Sequence, residues 1–263
     1  MADYEVLGEG PPLVLVPGLA GGARLLRPQA EALARHFQVI SYELRGEDDL
    51  FAVRRQFGVN DLVDDLAELL DSLGLESPLV MGVSFGGAVA LAFATRYRHR
   101  LSGLVVQGAD VRFERTLFRQ VAGRVLSAYP LPPDNPFVNQ FFNVLFGGRH
   151  ADPDLFEFVT RQCWQTDQSV MAHRFRLAEE LDLGGRLERV QAPTLLLRGT
   201  RDVLVSAAGW QEMKHRIASV NAVDLDGAGH LACVTHAEPM AAHVQRFAEK
   251  EGLLEKERLL TEF

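Results

Sequence analysis

Cysteine is scarce in this chain: only Cys163 and Cys233 occur among 263 residues. They have neither metal-ligand spacing nor the density of a disulfide scaffold, so a reducing compartment such as the cytosol is the simplest expectation. No apolar run reaches the roughly 20 residues needed to span a bilayer, which argues against a membrane partner. The start, Met1-Ala2-Asp3-Tyr4-Glu5-Val6, lacks the basic segment and apolar core of a secretory leader. Basic residues are also short, with Lys and Arg totalling 27 against 35 Asp and Glu, a formal net charge of −8. That balance argues against nucleic acid or an anionic membrane surface as the main partner. No internal repeat and no low-complexity stretch is visible.

What is present suits a single α/β domain. The chain is 47% hydrophobic, enough at this length for one large core. Short β-rich runs alternate with helical patterns, which predicts a mainly parallel sheet covered on both faces. Strands are expected at Tyr4–Gly8, Leu13–Val16, Gln38–Tyr42, Leu79–Val83, Gly103–Gln107, Thr194–Arg198 and Asn221–Leu225. Helices are expected at Leu26–His36, Val59–Leu73, Gly86–Tyr97, Ala207–Ile217 and Pro239–Glu249. In the second of these, Leu62, Leu66, Leu69 and Leu70 share one face and mark a packing element.

The alternation fails over 111–187, where the pattern turns helical and nine of the sixteen phenylalanines gather. This stretch reads as a helical cap inserted into a core made of 1–110 and 188–263. Most of its aromatics are expected to hold the cap together and a few to line a substrate pocket, since such pockets are mainly apolar. Spacing does not say which. The tail, 251–263, shows leucines at helical spacing among charges and is expected to pack on the body or on a second subunit, as in a homo-oligomer.

The most informative segment is Leu79-Val80-Met81-Gly82-Val83-Ser84-Phe85-Gly86-Gly87-Ala88. An apolar strand runs directly into a glycine-flanked serine and then into a helical pattern, the strand, sharp turn and helix of a nucleophile elbow. Gly82 and Gly86 fit a turn with no room for side chains, and Gly87 lets the helix approach the strand. A serine hydroxyl is a poor nucleophile near neutral pH, so a base and an orienting acid must exist elsewhere. After the strand ending at Arg198 comes Gly199-Thr200-Arg201-Asp202, a carboxylate at a strand's carboxyl end. After the last strand comes Gly227-Ala228-Gly229-His230, an imidazole in a glycine-flanked loop. Catalytic groups of open α/β sheets collect at that edge, and the order Ser, Asp, His is that of the elbow enzymes.

With these motifs the chain resembles the α/β-hydrolase superfamily over nearly its whole length, in particular its esterases and enol-lactonases with a helical cap. The resemblance implies Ser84 as nucleophile, His230 as general base, Asp202 as orienting acid, and the backbone N–H groups of Leu19 and Phe85 as the oxyanion hole. The oxyanion loop is matched by Val16-Pro17-Gly18-Leu19-Ala20-Gly21-Gly22, and Glu238-Pro239 follows His230 at the usual helix start. Two departures stand out. Pro17-Gly18 replaces the common His-Gly, which keeps the Leu19 donor and loses a histidine. Arg45-Gly46-Glu47-Asp48-Asp49 replaces the frequent Arg-Gly-His-Gly turn, and its acids are expected to be solvated.

Each assignment has a rival. His236 competes with His230 but is expected to open the next helix, and Asp110 competes with Asp202 from the end of an earlier strand. His36, His99, His150, His173, His215 and His243 are expected in surface or packing roles, and Cys233 as a small buried residue beside the site. The expected reaction is hydrolysis of a carboxylic ester, lactone or thioester through an acyl-serine, with no metal or organic cofactor. C–C bond hydrolases and cofactor-free perhydrolases share the same triad, and a weakly active binding or sensor protein on the same fold is the rival from another class. Serine rather than aspartate at position 84 argues against haloalkane dehalogenase or epoxide hydrolase chemistry.

Overall fold

The computed structural model describes residues 3–47, 57–112, 120–121, 123–124, 136–148 and 152–254. Asp48, Asp49, Phe113, Phe118, His150, the side chain of Phe137 and the tail beyond 254 lie outside the described residues. Among the described residues the sheet has seven strands: β1 (Tyr4–Leu7), β2 (Pro12–Val16), β3 (Gln38–Tyr42), β4 (Leu79–Val83), β5 (Gly103–Gln107), β6 (Thr194–Gly199) and β7 (Val220–Leu225). Their spatial order is β1-β3-β2-β4-β5-β6-β7. Only β1 runs antiparallel, pairing Tyr4 with Tyr42 and Leu7 with Val39; the remaining pairs are parallel. Each predicted strand is present, with ends shifted by at most one residue.

Alternation along the strands divides the core into two layers. Val14, Val16, Val80, Val106 and Leu196 face one side, where they meet helices α3 (Val59–Ser72) and α4 (Phe85–Arg96) and the later helix α8 (Ala207–Arg216). Leu13, Leu15, Met81, Val105 and Leu197 face the other, against α2 (Arg27–Leu33) and α10 (Ala237–Lys250). Covering both faces is what allows β4 and β5 to be buried along their length and, but for Gln107, apolar. Helix α3 shows the stripe that its leucines predict, with Leu62, Leu66, Leu69 and Leu70 inward. The helix predicted at Leu26–His36 is shorter, because the chain turns beyond Leu33 to reach β3 at Gln38. The last predicted helix begins earlier, at Ala237, with Pro239 inside the first turn, where no intrahelical N–H bond is needed.

Between β5 and β6 lie helices α5 (Pro136–Leu145), α6 (Pro153–Cys163) and α7 (Gln168–Glu180), followed by a short 3₁₀ turn at Gly184–Arg189. Two aspartates start two of them. Asp152 accepts from Asp154 N at 3.0 Å, and Asp167 accepts from Ser169 N at 2.7 Å, satisfying first-turn amides that would otherwise lack partners. Two short helices, α1 (Gly22–Leu25) and α9 (Ala232–Thr235), are also present among the described residues.

The strand order places β3 on one side of β2 and β4 on the other. The loops after β2 and β4 therefore diverge, opening the crevice where open α/β sheets hold ligands. At that crevice β4 reverses into α4 with almost no space between chain segments. A Cβ on Gly86 would sit 2.2 Å from Pro17 O and 2.3 Å from Val16 O, and neither neighbour is a flexible side chain. Gly86→Ala is expected to destabilise the protein by about 1–3 kcal/mol, read as a lower urea midpoint at unchanged slope. An unshifted midpoint would mean that the β2 loop yields freely.

Candidate active site

Ser84 occupies the tip of the turn between β4 and α4. Its φ of 54° and ψ of −120° make it the one non-glycine residue with positive φ among the described residues. Such a backbone costs about 1–3 kcal/mol and persists where surroundings over-determine it. Here Ser84 N donates to Gln107 O at 2.8 Å, and Ser84 O accepts from Gly87 N at 2.9 Å. The hydroxyl is thereby lifted off the end of the sheet toward the loop after β7.

The structure brings Ser84, His230 and Asp202 into one hydrogen-bonded line. Ser84 Oγ lies 2.8 Å from His230 Nε2, and His230 Nδ1 lies 2.9 Å from Asp202 Oδ2. An ionised carboxylate only accepts, so Nδ1–H donates to Asp202 and Nε2 is left to accept from the serine hydroxyl. The Asp202 side chain is fully buried. Burial pushes its carboxyl up, but the charge and hydrogen bond of His230, with the N–H groups of Leu204 and Val205 at 2.8 and 3.3 Å, outweigh that and hold it below the usual carboxylate range.

Phe85 begins α4, so its N–H belongs to the first-turn amides that have no intrahelical partner. Leu19, after β2, lines the same space as Ser84 and His230. The rivals make other hydrogen bonds. Asp110 accepts from Ser206 N at 2.9 Å and Val111 N at 2.8 Å. His236 caps α10, with Nδ1 2.8 Å from Thr235 Oγ1.

Two cavities meet at Ser84, sharing Leu19, Phe141, Phe175, Leu204 and His230 as walls. The larger, about 190 Å³, is walled by Val138, Phe142, Leu145, Trp164 and Met171 from the helices between β5 and β6, and by Leu25 and Leu26 below. The smaller, about 120 Å³, extends past Ala88 and Ala178 to Asp110 and Arg112. Phe146 and Phe156 instead stack on each other at 6.0 Å. Cys163 and Cys233 line the larger cavity, and burial pushes both thiols up to about 12, which disfavours the thiolate. Among the described residues, no group of three His, Cys, Asp or Glu side chains is arranged to hold a metal ion.

The expectation of solvated acids after β3 is overturned at Glu47. Its side chain is 1% exposed and pairs at 2.8 Å with Arg174, which is 0% exposed. A carboxylate survives there because a guanidinium is supplied from α7. Arg24 and Arg45 are also engaged, Arg24 with Glu47 at 3.7 Å and Arg45 with Asp65. Gln107 was not anticipated: its backbone carbonyl holds Ser84 N and its Nε2 donates to His230 O at 3.1 Å. The available signal was a buried polar residue closing an otherwise apolar strand.

A sequence profile of the alpha/beta hydrolase fold matches residues 11–237. The chain is 28% identical over 259 residues to a pimeloyl-acyl-carrier-protein methyl ester esterase from Xanthomonas campestris pv. campestris, covering 92% of this chain and 97% of that protein. A shorter stretch of 127 residues is 33% identical to RutD of Azorhizobium caulinodans, a protein named for carbamate hydrolysis, and spans about half of it, 48%. The enol-lactonase from Burkholderia xenovorans LB400 superposes with a TM-score of 0.77 at 23% identity, covering 94% of this chain and 96% of that one. The strand order, the strained serine turn and the profile match over most of the length agree, and the chain belongs to the α/β-hydrolase fold family.

Proposed function

We propose that this protein is a serine hydrolase that cleaves a carboxylic ester, lactone or thioester of a small to medium, largely apolar substrate through an acyl-serine intermediate. The observation that carries the reading is the continuous hydrogen-bonded line from Ser84 Oγ through the His230 ring to Asp202, opening onto two cavities with mainly apolar walls. The similarity to a methyl ester esterase over nearly the full length of both chains supports an ester as the substrate class.

In this reading Ser84 Oγ attacks the carbonyl carbon while His230 Nε2 takes its proton, and the carbonyl π electrons move onto the oxygen. The N–H groups of Leu19 and Phe85 receive that oxyanion. Collapse of the adduct breaks the bond to the leaving alcohol or thiol, which takes the proton back from His230. Water then attacks the acyl-serine with His230 again as base, releasing the acid and restoring Ser84. Asp202 stays ionised throughout, fixing the imidazole tautomer and stabilising the imidazolium. These steps use only protein groups and water.

A fluorophosphonate is expected to label Ser84, and Ser84→Ala to abolish labelling and lower kcat by about 10⁴–10⁶. Ester turnover undiminished in the alanine variant would sink the assignment. Asp202→Asn is expected to cost roughly 10⁴ in kcat through the wrong tautomer, whereas Asp110→Asn and His236→Ala should retain most activity. An inverted pattern would move the acid or the base to those positions.

The cavity walls predict substrate preference. In a series of p-nitrophenyl esters, each added methylene should raise kcat/KM by up to about 1 kcal/mol equivalent until the larger cavity is filled. Anionic acyl groups should do worse than neutral ones, because Arg112 at the end of the smaller cavity is already paired with Asp182 at 3.3 Å and Glu212 at 3.1 Å. A flat dependence on chain length, or a strong preference for a dicarboxylate-derived enol-lactone, would refute an apolar acyl site.

A further inference from the structure

The buried Arg174–Glu47 pair takes no part in the proposed hydrolytic steps, yet its hydrogen bonds lead to the loop after β2. Arg174 Nη1 donates to Glu47 Oε2 at 2.8 Å and to Leu19 O at 3.1 Å, while Nη2 donates to Leu44 O at 2.9 Å and Arg45 O at 3.1 Å. The other carboxylate oxygen, Glu47 Oε1, accepts from the Thr166 hydroxyl. That same hydroxyl oxygen accepts from Gly21 N at 2.8 Å. Both ends of the Leu19-Ala20-Gly21 turn are therefore held by side chains from the segment between β5 and β6, through a carboxylate contributed by the loop after β3.

The turn itself leaves little alternative. Gly21 has φ +83°, and a Cβ there would lie 2.6 Å from Leu25 Cβ. The carbonyl and the N–H of Leu19 flank a single Cα, so anchoring the carbonyl to Arg174 restrains the direction in which the N–H points. A buried ion pair is a poor device for stability alone, since apolar residues of similar volume commonly serve as well or better. What it supplies that apolar packing does not is directional hydrogen bonds, and here one of them ends on Leu19. Burial pulls the Arg174 guanidinium below its usual range, and Glu47 opposes that effect.

We propose that Arg174, Glu47 and Thr166 form a positioning network that holds the Leu19 amide where the developing oxyanion meets it. The helices between β5 and β6 then control the rate of acyl transfer as well as the fit of the substrate. This rests on the reading of Leu19 N–H as an oxyanion donor.

The test compares the wild type with two variants, counting active sites in each by fluorophosphonate titration. In the Glu47→Leu/Arg174→Met double variant the pair becomes apolar, so no unpaired charge is left buried. Thr166→Val keeps the pair and the shape while removing the hydroxyl that joins Gly21 to Glu47. Losing an oxyanion donor outright costs about 10²–10³ in kcat; a displaced donor should cost less. The expected result is a fall in kcat per titrated site of roughly 10–100-fold in the double variant and about 5–10-fold in Thr166→Val. KM should stay within about threefold, and affinity for an alkylboronic acid, which mimics the tetrahedral adduct, should fall in the same proportion as kcat. Should the double variant fail to fold, Thr166→Val decides alone. A folded variant with unchanged kcat per site, or a loss confined to KM, would overturn the network. Wild-type protein that neither labels at Ser84 nor turns over esters would instead remove the hydrolase reading itself.

Discussion

Everything at the site hangs on a backbone conformation that serine does not prefer. Holding Ser84 at φ 54° requires neighbours that gain more from the turn than it costs, and they are identifiable. Strand β4 is buried along its length, and every residue of α4 except the last, Arg96, is buried as well. A helix without a polar face belongs inside a fold, and α4 lies between β4, β5 and α3. The burial of those apolar surfaces far exceeds a strain of about 1–3 kcal/mol. The turn is thus the point where two deeply buried elements must join, and close packing at Gly86 against the β2 loop removes the wider alternatives.

From that turn the geometry propagates through β5. Gln107 ends this strand with its carbonyl on Ser84 N and its side-chain amide on His230 O. One residue thereby sets the separation between the proposed nucleophile and the proposed base, which arrive from loops 146 residues apart in the chain. Asp202 is fixed independently, by two backbone N–H groups of its own loop on Oδ1, leaving Oδ2 for the imidazole. A carboxylate with that many donors remains charged despite burial. It therefore acts on His230 as a fixed negative charge and a fixed acceptor, the two properties needed to select the tautomer.

Much of this could be read from the residues in order. The strands were legible because parallel strands covered on both faces are continuous apolar runs, and α3 because Leu62, Leu66, Leu69 and Leu70 repeat at helical spacing. The meeting of Ser84, Asp202 and His230 was legible because each follows a strand within a glycine-bearing loop. Interactions that join distant segments were not. Glu47 and Arg174 are 127 positions apart, and Arg174 sits in a helix whose neighbours Arg176, Glu179 and Glu180 read as a solvated face. Nothing in such spacing marks one arginine as buried. The same holds for the aromatics between β5 and β6, where Phe141 and Phe175 wall the cavities while Phe156 packs on Phe146. Which side a phenylalanine faces depends on how α5, α6 and α7 pack, and local periodicity does not encode that.

The departure at Glu47 then has a physical sense beyond its own loop. In the proposed reaction, a carbonyl oxygen gaining charge in an apolar cavity relies on backbone donors, and low local polarity makes each of those donors more effective and each displacement more costly. A loop carrying one such donor needs a restraint stiffer than apolar contact, because apolar contacts tolerate sliding while hydrogen bonds to a planar guanidinium do not. The carboxylate at position 47 makes that guanidinium tolerable in the interior, and the guanidinium ties Leu19 to α7. The residue that looked like a local irregularity of the β3 loop is in this sense the counter-charge for a restraint on the β2 loop.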